Sequence, residues 1–488
     1  MTAVPTPASL RHLPERRAAD APTGVCLADD RRSLDNRAFA ELVGGAAAAL
    51  RRAGVGRGDI VAAMLPNRLE LVVAMFAAWR LGAALTPINP ALTEAEARHQ
   101  VDDSGAEAVI GDAGHPLTTL PVDGLASTGG GPVTVAGSEG ADGDLALVIY
   151  TSGTTGVPKG VMLDHANLEA MCAQVVAGLR LGADDHSLLI LPLFHVNGIV
   201  VSVLSPLLAG GRTTIAGAFS PSTFFDTVAR VRPTYFSAVP AVYAMLSALP
   251  AEVEPDTTSL RHAICGAAPM PAELIERFEA RYGVTIIEGY GLSEGTCAST
   301  INPIDGPRKP GTVGVALPGQ TVAVMAPDGT LVDDGSPGEV VINGPNVMRG
   351  YLGRPEATAD TIVDGWLHTG DVGRFDDDGY LVLVDRIKDM IIRGGENLYP
   401  KEIENALHAH PAVLEAAVVG APDPVLGEVP VAHVALRPGE EISAAELLEH
   451  CSGRLARMKV PTEIVVEAVL PKNPVGKIDK PLLRSQHD

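Results

Sequence analysis

Residues 150–160 read Y-T-S-G-T-T-G-V-P-K-G, a run of hydroxyls, glycines and one lysine too polar for a packed interior and too dense for an ordinary turn. The residues leading into it, L-A-L-V-I-Y at 145–150, form an unbroken apolar run that predicts a buried strand. A loop that follows such a strand opens at the carboxyl edge of a sheet, where open α/β folds collect ligands. Thr151, Ser152, Thr154 and Thr155 supply hydroxyls, Gly153 and Gly156 free backbone amides, and Lys159 adds positive charge. That set suits phosphate oxygens. The spacing differs from the common phosphate loop G-x-x-x-x-G-K-[ST], because Val157 and Pro158 separate Gly156 from the lysine. A flexible surface loop is the alternative for a looser string, and the ordered density directly after a buried strand argues against it.

Length and charge narrow the class. A chain of 488 residues exceeds the roughly 250–300 that one core serves, so at least two domains are expected. A net charge of −22 excludes a general nucleic-acid or anionic-membrane surface, since both partners are polyanions. An anionic nucleotide therefore needs a local basic site. Cys26, Cys172, Cys265, Cys297 and Cys451 are scattered and odd in number, which fits buried free thiols in a reducing cytoplasm rather than a disulfide frame or zinc site. Residues 1–14 contain no apolar core of signal-peptide length. The apolar stretch 188–209 is interrupted by His195, Asn197, Gly198 and Pro206 and reads as a strand and helix buried in protein, not as a membrane span.

Strand-like and helix-like segments alternate through the first 300 residues, the pattern of an α/β fold with parallel-type sheets wrapped by helices. Helices are expected over 36–53 and 67–81, each closed by glycine. Thr93 and Glu96 form a capping box, and 106–111 reads as a strand. Residues 125–143, rich in Gly, Ser and Thr, are a loop. Beyond Gly314 short alternating runs (320–324, 338–342, 379–384) indicate a β-rich subdomain, and the segment after Lys388, with a helix over 400–408, suffices for a small separate α+β domain.

Further motifs follow in fixed order: P-L-F-H-V-N-G at 192–198, G-A-A-P at 266–269, G-Y-G-L-S-E at 289–294 and T-G-D at 369–371. After them come D-R-I-K-D at 385–389, G-G-E-N at 394–397 and N-P-V-G-K at 473–477. With the opening loop they span nearly the whole chain, which resembles the adenylate-forming superfamily, in its branch of acyl-CoA synthetases that ligate fatty or aryl acids to CoA. The resemblance implies an adenylation domain over residues 1–385, a hinge over 386–389 pivoting at Lys388, and a mobile domain over 390–488. It assigns the loop residues and Lys159 to the ATP phosphates, Glu294 to Mg²⁺, Gly266, Ala267, Ala268 and Tyr290 to adenine, with the Ser293 hydroxyl nearby. Asp371 and Arg386 serve the ribose or phosphates, and Lys477 binds the carboxylate and α-phosphate during adenylation. Gly394, Gly395 and Glu396 line a tunnel for the pantetheine thiol. The chemistry requires this much positive charge and hydrogen bonding because a carboxylate must attack an anionic phosphate.

His195 is expected at the floor of the carboxylate site, with a satisfied core histidine as its alternative reading. Amino-acid-activating relatives place aspartate where Val196 stands, and malonate-activating relatives place arginine where Gly289 stands. Small residues at Gly289, Gly291, Thr296 and Cys297 are expected to leave an apolar slot for a medium-chain fatty or aryl monocarboxylic acid. The acceptor is expected to be CoA, although the tryptophan many CoA-using relatives carry is Leu426 here. An acyl carrier protein is the alternative acceptor, a catalytically silent nucleotide-binding scaffold is the alternative of another class, and the sequence leaves a homodimer open.

Overall fold

The computed structural model describes residues 9–125, 143–151, 158–268, 270–394, 396–472 and 478–487. The chain divides into two units. The first is Met1–Val322 with Val341–His368 and Gly379–Leu381, and the second is Ala323–Val340, Thr369–Asp378 and Val382–Asp488.

Two sheets carry the first unit. In one, the parallel strands Thr285–Tyr290, His262–Cys265, Tyr235–Ala238, His186–Leu189, Arg212–Ile215 and Val25–Ala28 lie side by side in that order. In the other, Leu145–Thr151 pairs parallel to Ala84–Pro87, which continues to Ile60–Ala63 and Ala108–Gly111. The middle residues of these strands are buried, as crossover connections demand when helices cover both faces, and exposure is confined to strand ends such as Val25 and Arg212. The predicted parallel α/β class therefore holds, with antiparallel strands confined to the sheet ends.

Local chemistry sets the helices as the sequence suggested. Asp35 accepts from the Ala38 amide to open Asn36–Arg52, and the Thr93–Glu96 capping box opens Glu94–Ser104. Leu69–Arg80 is buried from Leu69 through Trp79 and apolar there except for Glu70, which pairs with Arg31, Arg32 and Arg68. Its start differs from expectation by two residues. Asn67 lies outside the helix, where its amide donates to Leu191 O (2.9 Å) and accepts from Leu193 N (2.9 Å). Those bonds fix the backbone that leads into His195.

The stretch 188–209 resolves into the end of a strand, a short helix Val196–Ile199, a π turn Val200–Leu204 and a second helix Ser205–Leu208. A π turn shifts carbonyls out of the helical register, and here side chains take them up. Tyr235 OH donates to Val201 O and Thr213 Oγ1 to Ser202 O, both at 2.8 Å. Among the described residues no helix is long and apolar enough to cross a membrane. All five cysteines are buried and free.

The second unit contains a sheet ordered Glu396–Leu398, Ile391–Arg393, Gly427–Leu436, Val413–Asp423, with Glu463–Glu467 pairing parallel to Gly427–Leu436. Helices Pro400–His408 and Ala444–Ser452 close its core through Ile403, Leu407 and Leu447. This is the α+β arrangement expected of the C-terminal segment. The runs after Gly314 are strands at Thr321–Met325, Gly338–Asn343 and Leu381–Arg386, as their alternation predicted.

Trp79 couples the buried helix to the strand that carries the phosphate loop, donating Nε1–H to Ala146 O at 2.8 Å while fully buried against Phe76 and His165. Trp79→Phe strands that carbonyl and leaves a void, so it should cost about 2 kcal/mol. The denaturation midpoint followed by circular dichroism checks this; an unshifted midpoint would show that the bond carries no net stability.

Candidate active site

The phosphate loop returns as a strand and not as a helix. Leu145–Thr151 pairs antiparallel with Lys159–Asp164, and Thr151 is the register partner of Lys159. Both ends of the loop are therefore fixed, while Ser152, Gly153, Thr154, Thr155 and Gly156 lie outside the described residues. Among the described residues the loop is followed by a strand and not by a helix, and Lys159 is the first residue of that strand.

The other edge of the returning strand recruits Gly350–Tyr351, with Tyr351 opposite Val161. Lys159 Nζ lies 4.9 Å from the centroid of the Tyr351 ring, and the Tyr351 hydroxyl donates to Glu294 Oε1 at 2.9 Å. Burial, and then the Glu294 charge, hold the Tyr351 phenol well above its ordinary pKa, so it remains a proton donor. Glu294 sits in the 3-10 turn Ser293–Gly295, which is tied down by Met348 N donating to Glu294 O at 2.8 Å. Its second carboxylate oxygen accepts nothing among the described residues. One half-buried carboxylate with a free oxygen fits a hard cation whose remaining ligands are phosphate and water. Among the described residues no cluster of three His, Cys, Asp or Glu forms a metal cage of protein ligands alone.

A second cluster surrounds the ends of strands His262–Cys265 and Thr285–Tyr290. A Cβ placed on Gly266 would stand 3.6 Å from Gly289 O and 3.7 Å from Asn197 Nδ2. Ser237 Oγ donates to Asn197 Oδ1 at 2.9 Å, which turns the amide nitrogen toward Gly266. Ala267 has φ of 68°, a left-handed backbone that costs an alanine about 1 kcal/mol; it and Ala268 are exposed at the turn. Pro269 lies outside the described residues. Tyr290, at the end of strand Thr285–Tyr290, and Ser293 are half-buried. His195 is half-buried, its ring centroid 4.6 Å from that of Phe194.

The structure corrects part of the expected acyl slot. A Cβ on Gly291 would lie 1.9 Å from Cys297 O, so glycine is required there by the backbone, which fills the space. Thr296 is fully buried at φ of 65° and donates its hydroxyl to Asn346 O. Cys297 is buried in the core, its thiol pushed up to about 12 by burial, and Val196 is also core. Gly289 is different: its Cβ would meet Thr300 O at 3.1 Å and Ile301 at 3.8 Å, a tight but peripheral position.

In the second unit Asp371 and Arg386 meet, with Nε to Oδ1 at 2.8 Å, as two residues expected at one nucleotide would. The T-G-D turn bends at Gly370, φ 70°, whose amide is held by Glu339 Oε1 at 2.9 Å. Lys388 is exposed in the 3-10 turn Ile387–Asp389. Gly394, φ 61°, donates its amide to Leu426 O at 2.7 Å, and Glu396 is exposed at the head of the next strand. Gly395 and Lys477 lie outside the described residues. Lys472 and Ile478, which bracket residues 473–477, form an antiparallel bridge.

Sequence reasoning missed Tyr351, Asn197 and Ser237. Asn197 stands inside the P-L-F-H-V-N-G motif and could have been singled out there. Tyr351 and Ser237 carry no local signal, because their contacts come from distant segments.

The chain belongs to the AMP-binding enzyme family, whose model matches residues 14–352, and residues 402–477 match the AMP-binding enzyme C-terminal domain. It is an adenylate-forming, AMP-forming acid–thiol ligase of the acyl-CoA synthetase class. Similar proteins include a feruloyl-CoA synthase of Amycolatopsis sp, 39% identical over 477 residues covering 96% of each chain. A long-chain-fatty-acid–CoA ligase of Mycobacterium tuberculosis is 36% identical, covering 89% of each. Among solved structures, ATP-bound MatB from Rhodopseudomonas palustris superposes with a TM-score of 0.91 at 33% identity, covering 98% of this chain and 99% of that one. The o-succinylbenzoate CoA synthetase of Bacillus subtilis in complex with its acyl-adenylate gives 0.89 at 31%, covering 97% and 98%.

Glu288, one residue before Gly289, is buried, and that burial pushes its pKa up to about 8, with Arg308 opposing. The native state therefore keeps this proton to higher pH than the unfolded chain does. Stability falls as pH rises from the ordinary carboxyl value of 4.5 toward about 8. Glu288→Gln removes the titration, so its melting temperature should gain on the wild type at pH 8.5 relative to pH 5, corresponding to about 1 kcal/mol or more. An equal difference at both pH values would refute the buried, protonated carboxyl.

Proposed function

We propose that this ligase activates a hydrophobic monocarboxylic acid, aryl or medium-chain fatty, as the acyl-adenylate with Mg²⁺·ATP and then passes the acyl group to CoA. The observation that carries the substrate class is the neutral surroundings of Gly266 and Gly289. The atoms nearest a Cβ at these positions are the Gly289 carbonyl and the Asn197 amide for Gly266, and the Thr300 carbonyl and Ile301 for Gly289. A second carboxylate on the substrate would be desolvated there without a cation. Relatives that act on ferulate and on long-chain fatty acids support the reading, although others act on sulfoacetate and oxalate.

The residue roles follow from the same chemistry. Lys159 and the loop hydroxyls bind the β- and γ-phosphates, and Glu294 supplies its free oxygen to Mg²⁺, which offsets charge on the phosphates when bound. The exposed backbone at Ala267 and Ala268 offers adenine a flat contact with Tyr290 opposite. Asp371, oriented by Arg386, accepts from the ribose hydroxyls. His195, held through the Asn67 bonds to Leu191 and Leu193, walls the carboxylate site. Lys477 contacts the attacking carboxylate and the α-phosphate. Rotation about Lys388, in a hinge over residues 386–389, exchanges this lysine for the Gly394 to Glu396 segment, past which the thiol enters.

A panel of carboxylic acids with ATP, read first for pyrophosphate exchange and then for thioester, tests the assignment. Aryl and medium-chain acids should exchange fastest and malonate slowest; a preference for malonate would overturn the substrate class. Thioester formed on a carrier protein but not on CoA would replace the acceptor. Lys477→Ala should slow adenylation about 100-fold or more while sparing thioester formation from supplied acyl-AMP. Equal losses in both half-reactions would sink the role given to Lys477.

A further inference from the structure

Lys159 and Glu294 carry opposite charges and both approach one side chain. Lys159 Nζ meets the face of the Tyr351 ring at 4.9 Å, and Glu294 Oε1 meets its hydroxyl at 2.9 Å. Among the described residues the two make no ion pair with each other. Opposite charges so near in a half-buried site attract strongly, and without an intervening group they would neutralise each other. A lysine spent on a carboxylate offers less to phosphate, and a carboxylate spent on a lysine offers less to a cation.

Tyr351 is held by more than these contacts. Its amide donates to Thr358 Oγ1 at 2.9 Å, and its backbone is paired to the strand that begins at Lys159. Gly350 before it has φ of 136°, and a Cβ there would stand 2.5 Å from Thr358 Cγ2, so the backbone admits only glycine. The ring is buried to 8% exposure. The hydroxyl and the ring face are thus set in place by the fold, independently of any nucleotide.

We propose that Tyr351 is a positioning residue that keeps Lys159 and Glu294 apart and aimed, the ring face seating the ammonium and the hydroxyl turning one carboxylate oxygen so that the other is left for the cation. This rests on the reading of Lys159 as the phosphate lysine and Glu294 as the Mg²⁺ carboxylate. A phenol is well suited to both tasks at once, since its π face attracts cations and its O–H donates to anions.

Tyr351→Phe keeps the ring and deletes the hydroxyl, and Tyr351→Leu deletes both. The measurement is ATP affinity by calorimetry, with saturating Mg²⁺ and with the metal chelated. Tyr351→Phe should reduce the gain in affinity that Mg²⁺ brings by about tenfold while leaving metal-free ATP binding within about twofold of wild type. Tyr351→Leu should weaken both. A merely structural role would lower both affinities in parallel in Tyr351→Phe and leave their ratio unchanged, which overturns the inference. Glu294→Gln is the control. If it loses the Mg²⁺ gain while Tyr351→Phe keeps it, the inference alone fails; if Glu294→Gln keeps the gain, the reading of Glu294 fails and the inference with it. Tyr351→Phe is nearly isosteric, so the test stands even if Tyr351→Leu does not fold.

Discussion

The antiparallel pairing of Leu145–Thr151 with Lys159–Asp164 is the contact on which the catalytic face depends. Had the chain left the loop as a helix, its N-terminal amides would have supplied a dipole for the phosphates. The strand return removes that source and leaves an open ladder edge. Lys159 stands at the first position of the returning strand, and Gly350–Tyr351 occupies the edge. Tyr351 then reaches Glu294, which lies on a turn after a strand of the other sheet. Two sheets are thereby linked at the site through a single buried phenol.

Glycine plays two unlike roles two residues apart. At Gly291 a side chain is forbidden by the Cys297 backbone, so the residue is a packing constraint. At Gly289 the nearest obstacles are the Thr300 carbonyl at 3.1 Å and the Ile301 side chain at 3.8 Å, so a side chain there would press on the paired strand without overlapping it. Smallness in the sequence is the same in both cases, and only the surrounding backbone separates them.

In the second unit the expected pivot is flanked by anchored carboxylates. Asp385 accepts from the Lys401 amide at 2.7 Å and so caps the helix Pro400–His408, whose own N-cap residue offers no side-chain bond. Glu404 in that helix, almost fully buried, accepts from Lys480 at 2.7 Å and from the Val418 amide at 3.0 Å. Asp389 lies 3.8 Å from Arg484. Burying these charges is tolerable because each carboxylate has a cation or an amide donor to meet it. Lys388, between Asp385 and Asp389, is exposed.

By itself the sequence determined the class of the fold and the order of its elements. Period, capping and turn chemistry act over a few neighbours, and the motif strings keep their meaning without knowledge of what packs against them. Leu69–Arg80 and Pro400–His408, the Thr93–Glu96 box and the Asp371 turn were legible for that reason. Tertiary structure alone decided that Gly291, Thr296 and Cys297 serve packing, since what fills their space comes from other segments of chain. It alone placed Asn67 under the His195 loop, paired Asn197 with Ser237, and brought Tyr351 between Lys159 and Glu294. Those contacts span tens to hundreds of residues along the chain, and no local pattern encodes a partner that the fold delivers from so far away.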